Sequence, residues 1–312
     1  MTRLTAQVKE ITQDHFKWID MMKPTSRELN LLLDEFDFPR MVLEDCLSEH
    51  QRCKVDINRD FIFVTLLFPC YNKDLMRVEA EEVDFFLSKD YLITLHEGNL
   101  SPLVSLASLC QDKSDVREKY MSNGPAMLMY QIINLLLECC YPLLERIGET
   151  LNDINKCLFI NRSNQLLVEI SQSKTQIMNY RRVIHPLGNA ILSLQEATSS
   201  ILTPEFDFFM KDIKHNIENL WAMLENYKEV IETLDSTYAS LTNQRINKLM
   251  RTFTVLQLLI TPVIIVNMLF SINVQGIPMA TSPHAFWILL AAITTVISLI
   301  ASVLFIKRNT WF

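Results

Sequence analysis

The sequence predicts an α+β domain followed by one long helix and two membrane-spanning helices, and three observations support this prediction. Strand-like and helix-like segments are mixed over the first 125 of the 312 residues. A stretch without Gly or Pro then runs from Glu205 to Thr261. Finally, residues 252–306 form 55 consecutive positions without Asp, Glu, Lys or Arg. That length accommodates two helices of about 20 apolar residues each.

Residues 1–125 are predicted to form an α/β cytoplasmic domain. Apolar and β-branched runs bounded by turn residues predict strands, and these runs are Phe16–Met22, Phe61–Phe68, Val83–Leu87 and Tyr91–His96. The last two flank turn residues and are expected to form a hairpin. Thr25 and Glu28 have the spacing of a capping box, which predicts that a helix begins there.

Residues 126–203 are predicted to form two long antiparallel helices, interrupted near Asn161–Asn164. The next helix has clear start signals, because Thr203 can cap it and Pro204 suits its first turn. Apolar residues then recur at steps of three and four, which is a heptad-like seam. They are Phe209, Ile213, Ile217, Leu220, Leu224, Tyr227, Ile231, Leu234, Tyr238 and Leu241. Since the seam enters the first apolar segment without a break, we predict one continuous helix with a stalk at 204–251.

The uncharged region is predicted to contain two transmembrane helices, at 252–270 and 285–306. Gly, Pro, Ser and Asn between them predict a loop at 271–284. Basic residues lie on the outer flank of each span, before Thr252 and in the tail 307–312, whereas the loop has none. By the positive-inside rule both termini are expected in the cytoplasm. The chain is therefore predicted to be a multi-pass protein of the inner (plasma) membrane.

One face of the predicted long helix is polar even inside the membrane span. On an ideal helix, six residues lie about 180° from Leu241. They are Asn247, Met250, Thr254, Gln257, Thr261 and Met268. Polar groups in a span face protein or water rather than lipid, so this polar stripe either lines a pore or forms hydrogen bonds between helices. Pro262 removes a backbone donor here, and we expect the Thr261 hydroxyl to compensate.

Continued backwards by heptad steps, the polar stripe reaches two neutral polar residues and then three carboxylates. The positions are Asn243, Ser236, Glu232, Glu229 and Glu225. In a symmetric ring these carboxylates would form stacked acidic rings that concentrate cations at a cytoplasmic mouth. A solvated charged helix face is the alternative interpretation. Asp212 is a further candidate for a regulatory metal site on the stalk.

Charge and motifs argue against several other functions. All charged residues except Lys307 and Arg308 lie in the first 251 residues, which carry 27 basic and 36 acidic side chains and a net charge of −9. An acidic body repels nucleic acid. We find no nucleotide-binding glycine loop, nucleophile elbow or two-His metal motif. No enzyme activity and no cofactor are therefore expected.

Nearly the whole chain resembles the CorA superfamily of magnesium and related cation transporters. The segments that carry the resemblance are FDFPRMVLEDC, KVDINRDFIFVTLL, EEVDFFLSKDYLITLHEG, MYQIINLLLECCYPLLERIGETLNDI, LTNQRINKLMRTFTVLQLLITPVIIVNMLF and the tail KRNTWF. The resemblance implies a CorA-like funnel, a homopentamer and stalk helices that line the pore. It also implies that Asn247, Met250 and Phe253 lie at the inner pore and its apolar gate.

The family signature after the first span is altered in this chain. The family carries Tyr-Gly-Met-Asn, whereas this chain has Phe270, Ser271, Ile272 and Asn273. The resemblance implies that Asn273 contacts a hydrated cation at the outer mouth, which suits Mg²⁺ because this ion sheds its water reluctantly. Ser271 replaces glycine, so a positive φ would be unfavourable there. Ile272 resembles the Gly-Ile-Asn variant of the zinc-transporting branch, which implies coupling to protons.

These features lead to three hypotheses. The first is permeation of a divalent cation, with Mg²⁺ ahead of Zn²⁺, Co²⁺ and Ni²⁺. The ion would pass from Asn273 along Gln257 and Thr261 to a gate at Met250–Phe253, and cytoplasmic metal between subunits would favour the closed state. The second is proton-driven Zn²⁺ transport, and the third is a non-conducting sensor or scaffold. The expected partners are other copies of the chain, the lipid bilayer and metal ions.

Overall fold

The structure is a computed structural model that describes residues 7–13, 16–36, 38–39, 41–42, 46, 52–72, 77–160, 164–198, 204–271 and 283–306. Its strands are β1 (Gln7–Gln13), β2 (Phe16–Met22), β3 (Lys54–Ile57), β4 (Ile62–Asn72), β5 (Arg77–Leu87) and β6 (Tyr91–His96). Its helices are α1 (Ser26–Phe36), α2 (Ser101–Asp112), α3 (Ser114–Met121), α4 (Pro125–Glu138), α5 (Tyr141–Ile160), α6 (Asn164–Thr198), α7 (Pro204–Ser271) and α8 (Pro283–Ile306). The chain divides into two compact units, Met1–Asp235 and Ser236–Phe312.

Six strands form one mixed sheet in the order β1-β2-β6-β5-β4-β3. β2 and β6 run parallel, and the other neighbouring strands run antiparallel. The predicted hairpin is formed by β5 and β6, and the Ser88 N–H donates to the Tyr91 carbonyl across its turn at 3.0 Å. β4 and β5 are longer than their apolar runs, because they remain paired as far as Asn72 and Arg77. The α/β character predicted for this region is confirmed.

One face of the sheet packs against α1, at whose start the Glu28 half of the predicted capping box is present. The Glu28 carboxylate accepts hydrogen bonds from the Thr25 N–H (2.8 Å) and the Thr25 hydroxyl (2.7 Å). α1 begins at the next residue, Ser26. Buried apolar residues from α1, the segment after it and alternate strand positions form one cluster. Its members are Ile19, Met21, Leu29, Leu32, Phe38, Val42, Phe61, Phe63, Phe86, Ile93 and Leu95.

The opposite face of β2 and β6 carries a buried polar network. The Trp18 indole N–H donates to the Thr94 hydroxyl at 3.1 Å, and this hydroxyl donates to Asp20 Oδ1 at 2.6 Å. His96 Nε2 lies 3.1 Å from the same oxygen. All four side chains are at most 5% exposed. α2, α4 and α6 also pack on the sheet.

Three carboxylates lie near one another at one end of β5 and β6. Glu82 and Asp84 share a face of β5 with Phe86, because side chains alternate along a strand, and Glu97 directly follows β6. Burial and, to a smaller extent, the charges of Asp84 and Glu97 together raise the pKa of Glu82 to about 7. Since the pKa is higher in the folded state, ionisation of Glu82 opposes folding. The free energy of unfolding therefore decreases as the pH rises from about 4.5 to about 7 and Glu82 becomes ionised.

We expect Glu82→Gln to raise the free energy of unfolding by about 1 kcal/mol at pH 8, allowing for solvent screening. At pH 4.5 the gain should vanish, because Glu82 is then protonated in the folded protein. Thermal unfolding of the full-length protein in detergent, followed by circular dichroism, measures the shift. Glu79→Gln on the same strand is the control, since hydrogen bonds from Arg77 and Asn72 lower the pKa of Glu79. An equal gain at both pH values would contradict the assignment.

The first of the two helices predicted after residue 126 is divided in the structure. α4 ends at Glu138 and α5 begins at Tyr141, with a turn at Cys139 and Cys140. The predicted interruption near Asn161–Asn164 agrees with the end of α5 at Ile160 and the start of α6 at Asn164. α6 continues through Pro186.

α7 begins at Pro204, as its start signals predict, and continues through Pro262 to Ser271. Among the described residues, two helical stretches are long and apolar enough to cross a membrane, Pro125–Leu158 and Phe208–Ile265. In the first, 44% of the most apolar part is buried inside the protein, against 0% in the second. The first therefore suits a protein core, and the second agrees with the first predicted span. The second predicted span lies within α8, of which Ala291–Ile300 forms a shorter apolar stretch.

Candidate ion-binding surface of the long helix

The predicted seam of α7 is buried in the unit Met1–Asp235. Its most buried members are at most 6% exposed, and they are Ile213, Ile217, Leu220, Leu224, Ile231 and Leu234. Met210, which the heptad pattern missed, is also fully buried. The seam packs against helices of the same chain, since an added Cβ on Gly188 of α6 would lie 3.3 Å from Ile217. On α5, an added Cβ on Gly148 would lie 2.7 Å from the Tyr227 hydroxyl.

Asp212, the candidate for a regulatory metal site, is held by α4. The Tyr130 hydroxyl donates to Asp212 Oδ2 at 2.8 Å. One turn further along both helices, Asn216 Nδ2 donates to Asn134 Oδ1 at 2.8 Å. Burial and, to a smaller extent, the Asp212 carboxylate together raise the pKa of Tyr130 to about 12. The phenol therefore stays protonated and acts as a donor. One Asp212 oxygen is thus occupied by a hydrogen bond.

The four acidic candidates do not form one set. Glu225 Oε1 lies 2.5 Å from Arg181 Nη2 of α6, and Glu225 Oε2 lies 3.8 Å from Lys228 Nζ. Its charge is thus compensated within the chain, because this part of α7 turns Glu225 towards α6. The stacked ring at Glu225 stays a prediction. Glu229 and Glu232 are exposed.

The polar stripe lies on the described part of α7 and is exposed along its length. Asn247, Thr254, Gln257 and Thr261 are all exposed in the single chain. The apolar members are also exposed, with Met250 at 60% and Met268 at 65%, and so is Phe253 at 65%. The stripe is therefore available to water, ions or a neighbouring surface.

The two threonines of the stripe are oriented as acceptors. The Thr254 hydroxyl donates to the Met250 carbonyl at 2.9 Å, and the Thr261 hydroxyl donates to the Gln257 carbonyl at 2.7 Å. Since each hydroxyl has a single proton, that proton is used within the helix. Only oxygen lone pairs then face outwards, which favours a cation or its hydration water over an anion. Thr252 makes the same bond, to Lys248, at 3.0 Å, but it points about 160° away from Thr254 on the helix.

Thr261 does not replace the backbone bond that Pro262 removes. The missing N–H would have served the carbonyl of Leu258, four residues earlier. The Thr261 hydroxyl instead bonds to Gln257, whose carbonyl is already the helical acceptor of Thr261. The expected compensation is therefore wrong, because the hydroxyl bonds to a carbonyl that already has its helical donor. The helix nevertheless continues for nine residues beyond Pro262.

The altered signature lies at the end of α7. Ser271 is the last residue of the helix, and among the described non-glycine residues only Lys23 has a positive φ. The serine thus adopts a helical conformation that needs no glycine. Ile272 and Asn273 lie outside the described residues, as do the rest of the loop to Ser282 and the tail.

Reasoning from the sequence missed Arg181, which the structure brings to Glu225. A signal was available, because Arg181 lies four residues after Ile177 and three before Ile184, both buried on α6. A charged side chain on such a face needs a partner. Within the described part of the chain, no group of three His, Cys, Asp or Glu residues could hold a metal ion.

Comparison with known proteins gives consistent results. The family model described as "CorA-like Mg2+ transporter protein" matches residues 13–308. The putative metal ion transporter YfjQ of Bacillus subtilis is 23% identical, over 95% of this chain and 89% of its own.

Two solved structures align with all or with most of this chain. The CorA magnesium transporter of Methanocaldococcus jannaschii aligns with a TM-score of 0.79 and 19% identity, and the alignment covers 100% of both chains. The ZntB cytoplasmic domain of Vibrio parahaemolyticus aligns with a TM-score of 0.59 and 16% identity, over 74% of this chain and 90% of that domain. The described part of the chain therefore has the fold of these proteins.

Proposed function

Because the chain belongs to the family of CorA-like Mg²⁺ transporter proteins, we propose that it is a multi-pass inner-membrane transporter for divalent cations, with Mg²⁺ as the leading substrate. The family is one of transporters rather than enzymes. The observation that carries the proposal beyond family membership is the polar stripe. It combines exposed amides with two threonine hydroxyls whose protons are used inside α7. Such a surface presents oxygen to a cation without any fixed positive charge.

In this proposal several copies, five by resemblance, place the polar stripe of α7 around one pore. A hydrated ion is captured at Asn273 at the outer mouth, since Mg²⁺ is bound most easily through its own water. It passes the oxygens of Thr261, Gln257 and Thr254 and meets an apolar constriction at Met250 and Phe253. Apolar constrictions gate by excluding water. Both termini lie in the cytoplasm, where Glu229 and Glu232 attract cations and bound metal favours the closed state.

Proton-driven Zn²⁺ transport is the second candidate function. Ile272 in the signature favours it, and so does the fold shared with the ZntB cytoplasmic domain. This candidate requires that uptake increase as the external pH falls. A non-conducting sensor or scaffold is the third candidate, favoured by the altered signature and by the uncharged loop.

Metal flux into liposomes that contain the purified full-length protein separates these functions. Mg²⁺ and Zn²⁺ are tested separately, each at two external pH values. Mg²⁺ entry that does not depend on pH supports the leading proposal. Zn²⁺ entry that increases at low pH supports the second candidate, and a stable oligomer without flux of either metal supports the third.

The orientation of the threonine hydroxyls gives a prediction for transport. The double variant Thr254→Val and Thr261→Val keeps the shape of both side chains and removes both oxygens. We expect Mg²⁺ flux to fall by roughly three- to tenfold, the range that follows from the loss of neutral hydrogen bonds to the passing ion's water. Flux into liposomes at equal protein density measures the effect.

The matched control is Thr252→Val, which removes the same type of hydrogen bond from a different face of α7. It should leave Mg²⁺ flux within about twofold of the unchanged protein, since Thr252 lies off the stripe. An equal loss in the control and in the double variant would show that the hydroxyls support the helix rather than the ion.

A further inference from the structure

Arg181 makes the most specific contact between α6 and α7. Its Nη2 lies 2.5 Å from Glu225 Oε1, and its guanidinium carbon lies 4.8 Å from the centre of the Trp221 ring. Trp221 and Glu225 are four residues apart, so both extend from the same side of α7. The Arg181 side chain is only 19% exposed. A stacked, charge-paired arginine in such a setting fixes the rotation of the helix that it contacts.

The guanidinium is only partly satisfied in this arrangement. Its Nη1 is buried and has no hydrogen-bond partner among the described residues. A buried donor without an acceptor is unfavourable. The arrangement therefore holds α7 through Nη2 and the Trp221 ring, and Nη1 remains able to donate a hydrogen bond to a different acceptor if α7 moves.

A cavity lies beside the same contact, between the same two helices. It has a volume of about 200 Å³ and is lined by His185, Gly188, Ile217 and Trp221, among others. The ring centres of His185 and Trp221 are 5.2 Å apart. The cavity therefore lies on the Trp221 side of the Arg181 contact. Open space beside a partly satisfied arginine leaves room for α7 to rotate.

We propose that Arg181 is a positioning residue that sets the rotation of α7 through Glu225 and Trp221 and so sets how readily the pore opens. The proposal rests on the function proposed above. α7 has no Gly and no Pro between Glu225 and Thr261, so a rotation at Glu225 is carried along a continuous helix to the polar stripe. Arg181 itself does not touch the ion.

Two substitutions test this role in the full-length protein. Arg181→Met removes the guanidinium and keeps much of the stem, whereas Glu225→Gln keeps the size of its partner and removes the charge. Arg181→Lys keeps the ion pair but not the planar fork, so it should restore part of the effect. Lys174→Met is the control, because Lys174 pairs with Asp235 between the same helices at 3.0 Å but is 48% exposed.

Two readouts are needed, metal flux and the exposure of the pore helix. For the second, Phe253→Cys introduces a cysteine into α7, and a water-soluble maleimide modifies it. The rate of modification is followed by mass spectrometry on the peptide that contains position 253. Arg181→Met and Glu225→Gln should change this rate about fivefold or more, in the same direction. Flux should change with it, and Lys174→Met should alter either readout by less than about twofold.

The proposal is overturned if Glu225→Gln, which preserves side-chain shape, leaves both readouts unchanged. It is also overturned if Lys174→Met changes them as much as the Arg181 variants do. If the unchanged protein transports no metal, the proposed function fails, but the modification rate at position 253 still decides the role of Arg181. The two failures are therefore distinguishable.

Discussion

Asn273→Ala is expected to lower Mg²⁺ uptake by at least about tenfold, because a hydrogen bond that involves an ion is worth about 1.5–3 kcal/mol. Asn273 is the one residue of the Gly-Met-Asn signature that this chain retains. Its amide offers a carbonyl oxygen and two N–H groups, whereas alanine offers neither. In a symmetric assembly one substitution removes this group from every subunit at once. The effect should therefore exceed that of any single change along the stripe.

Flux into liposomes at equal protein density measures the effect, and oligomer size by chromatography in detergent confirms that assembly is intact. Gln275→Ala is the matched control, since Gln275 is an amide of the same loop two residues away. It should retain at least half of the uptake if Asn273 has a specific role. Normal uptake by Asn273→Ala, with normal assembly, would show that the altered signature no longer selects the ion.

The parts of the fold that local patterns specify were predictable. β2 has the predicted bounds, Phe16–Met22, because its apolar run is closed by Pro24 and the capping box. α7 begins at the predicted Pro204. The turn at Cys139 and Cys140 was missed, although Pro142 offered a signal for it. Proline suits the first turn of a helix and disfavours a helical conformation in the residue before it, and Pro142 is the second residue of α5.

The order of the strands could not be predicted. β6 lies between β2 and β5, and it pairs with β2 in parallel. Only the hairpin of β5 and β6 follows from neighbouring residues. The parallel pair depends on contacts between residues about 75 positions apart, such as Trp18 with Leu92, and no periodic pattern in one strand specifies its partner.

For the candidate site, a helical projection predicted the polar stripe but not the partners of its extension. Thr254 and Thr261 are exposed on α7, but Leu256 on another face is exposed as well, so the pore-lining role of the stripe stays a prediction. Glu225 falls near the same projected face but pairs with Arg181. A projection treats α7 as isolated and contains no information about α6. That is also why Arg181 was missed, although the residue is central to the contact between the two helices.

The second large effect is expected in the buried polar network of the sheet. Asp20→Ala should lower the free energy of unfolding by about 3–5 kcal/mol, since it leaves buried donors without an acceptor. The Gly98 N–H donates to His96 Nδ1 at 3.0 Å. The ring therefore carries its proton on Nε2 when neutral, and that N–H donates to Asp20. Asp20 Oδ1 is thus the shared acceptor of Thr94 and His96.

Thermal unfolding of the full-length protein in detergent measures this loss, which should lower the midpoint by about 6 °C or more. Asp20→Asn keeps an oxygen for both donors, so it should lose less than half as much. Asp56→Ala is the control, because Asp56 pairs with Lys54 at 2.6 Å while its side chain is 36% exposed. Exposed pairs contribute about 0–1 kcal/mol, so its midpoint should change little. If both alanine variants had the same midpoint, the network would be incidental, and apolar packing around Trp18 would account for the stability of this face.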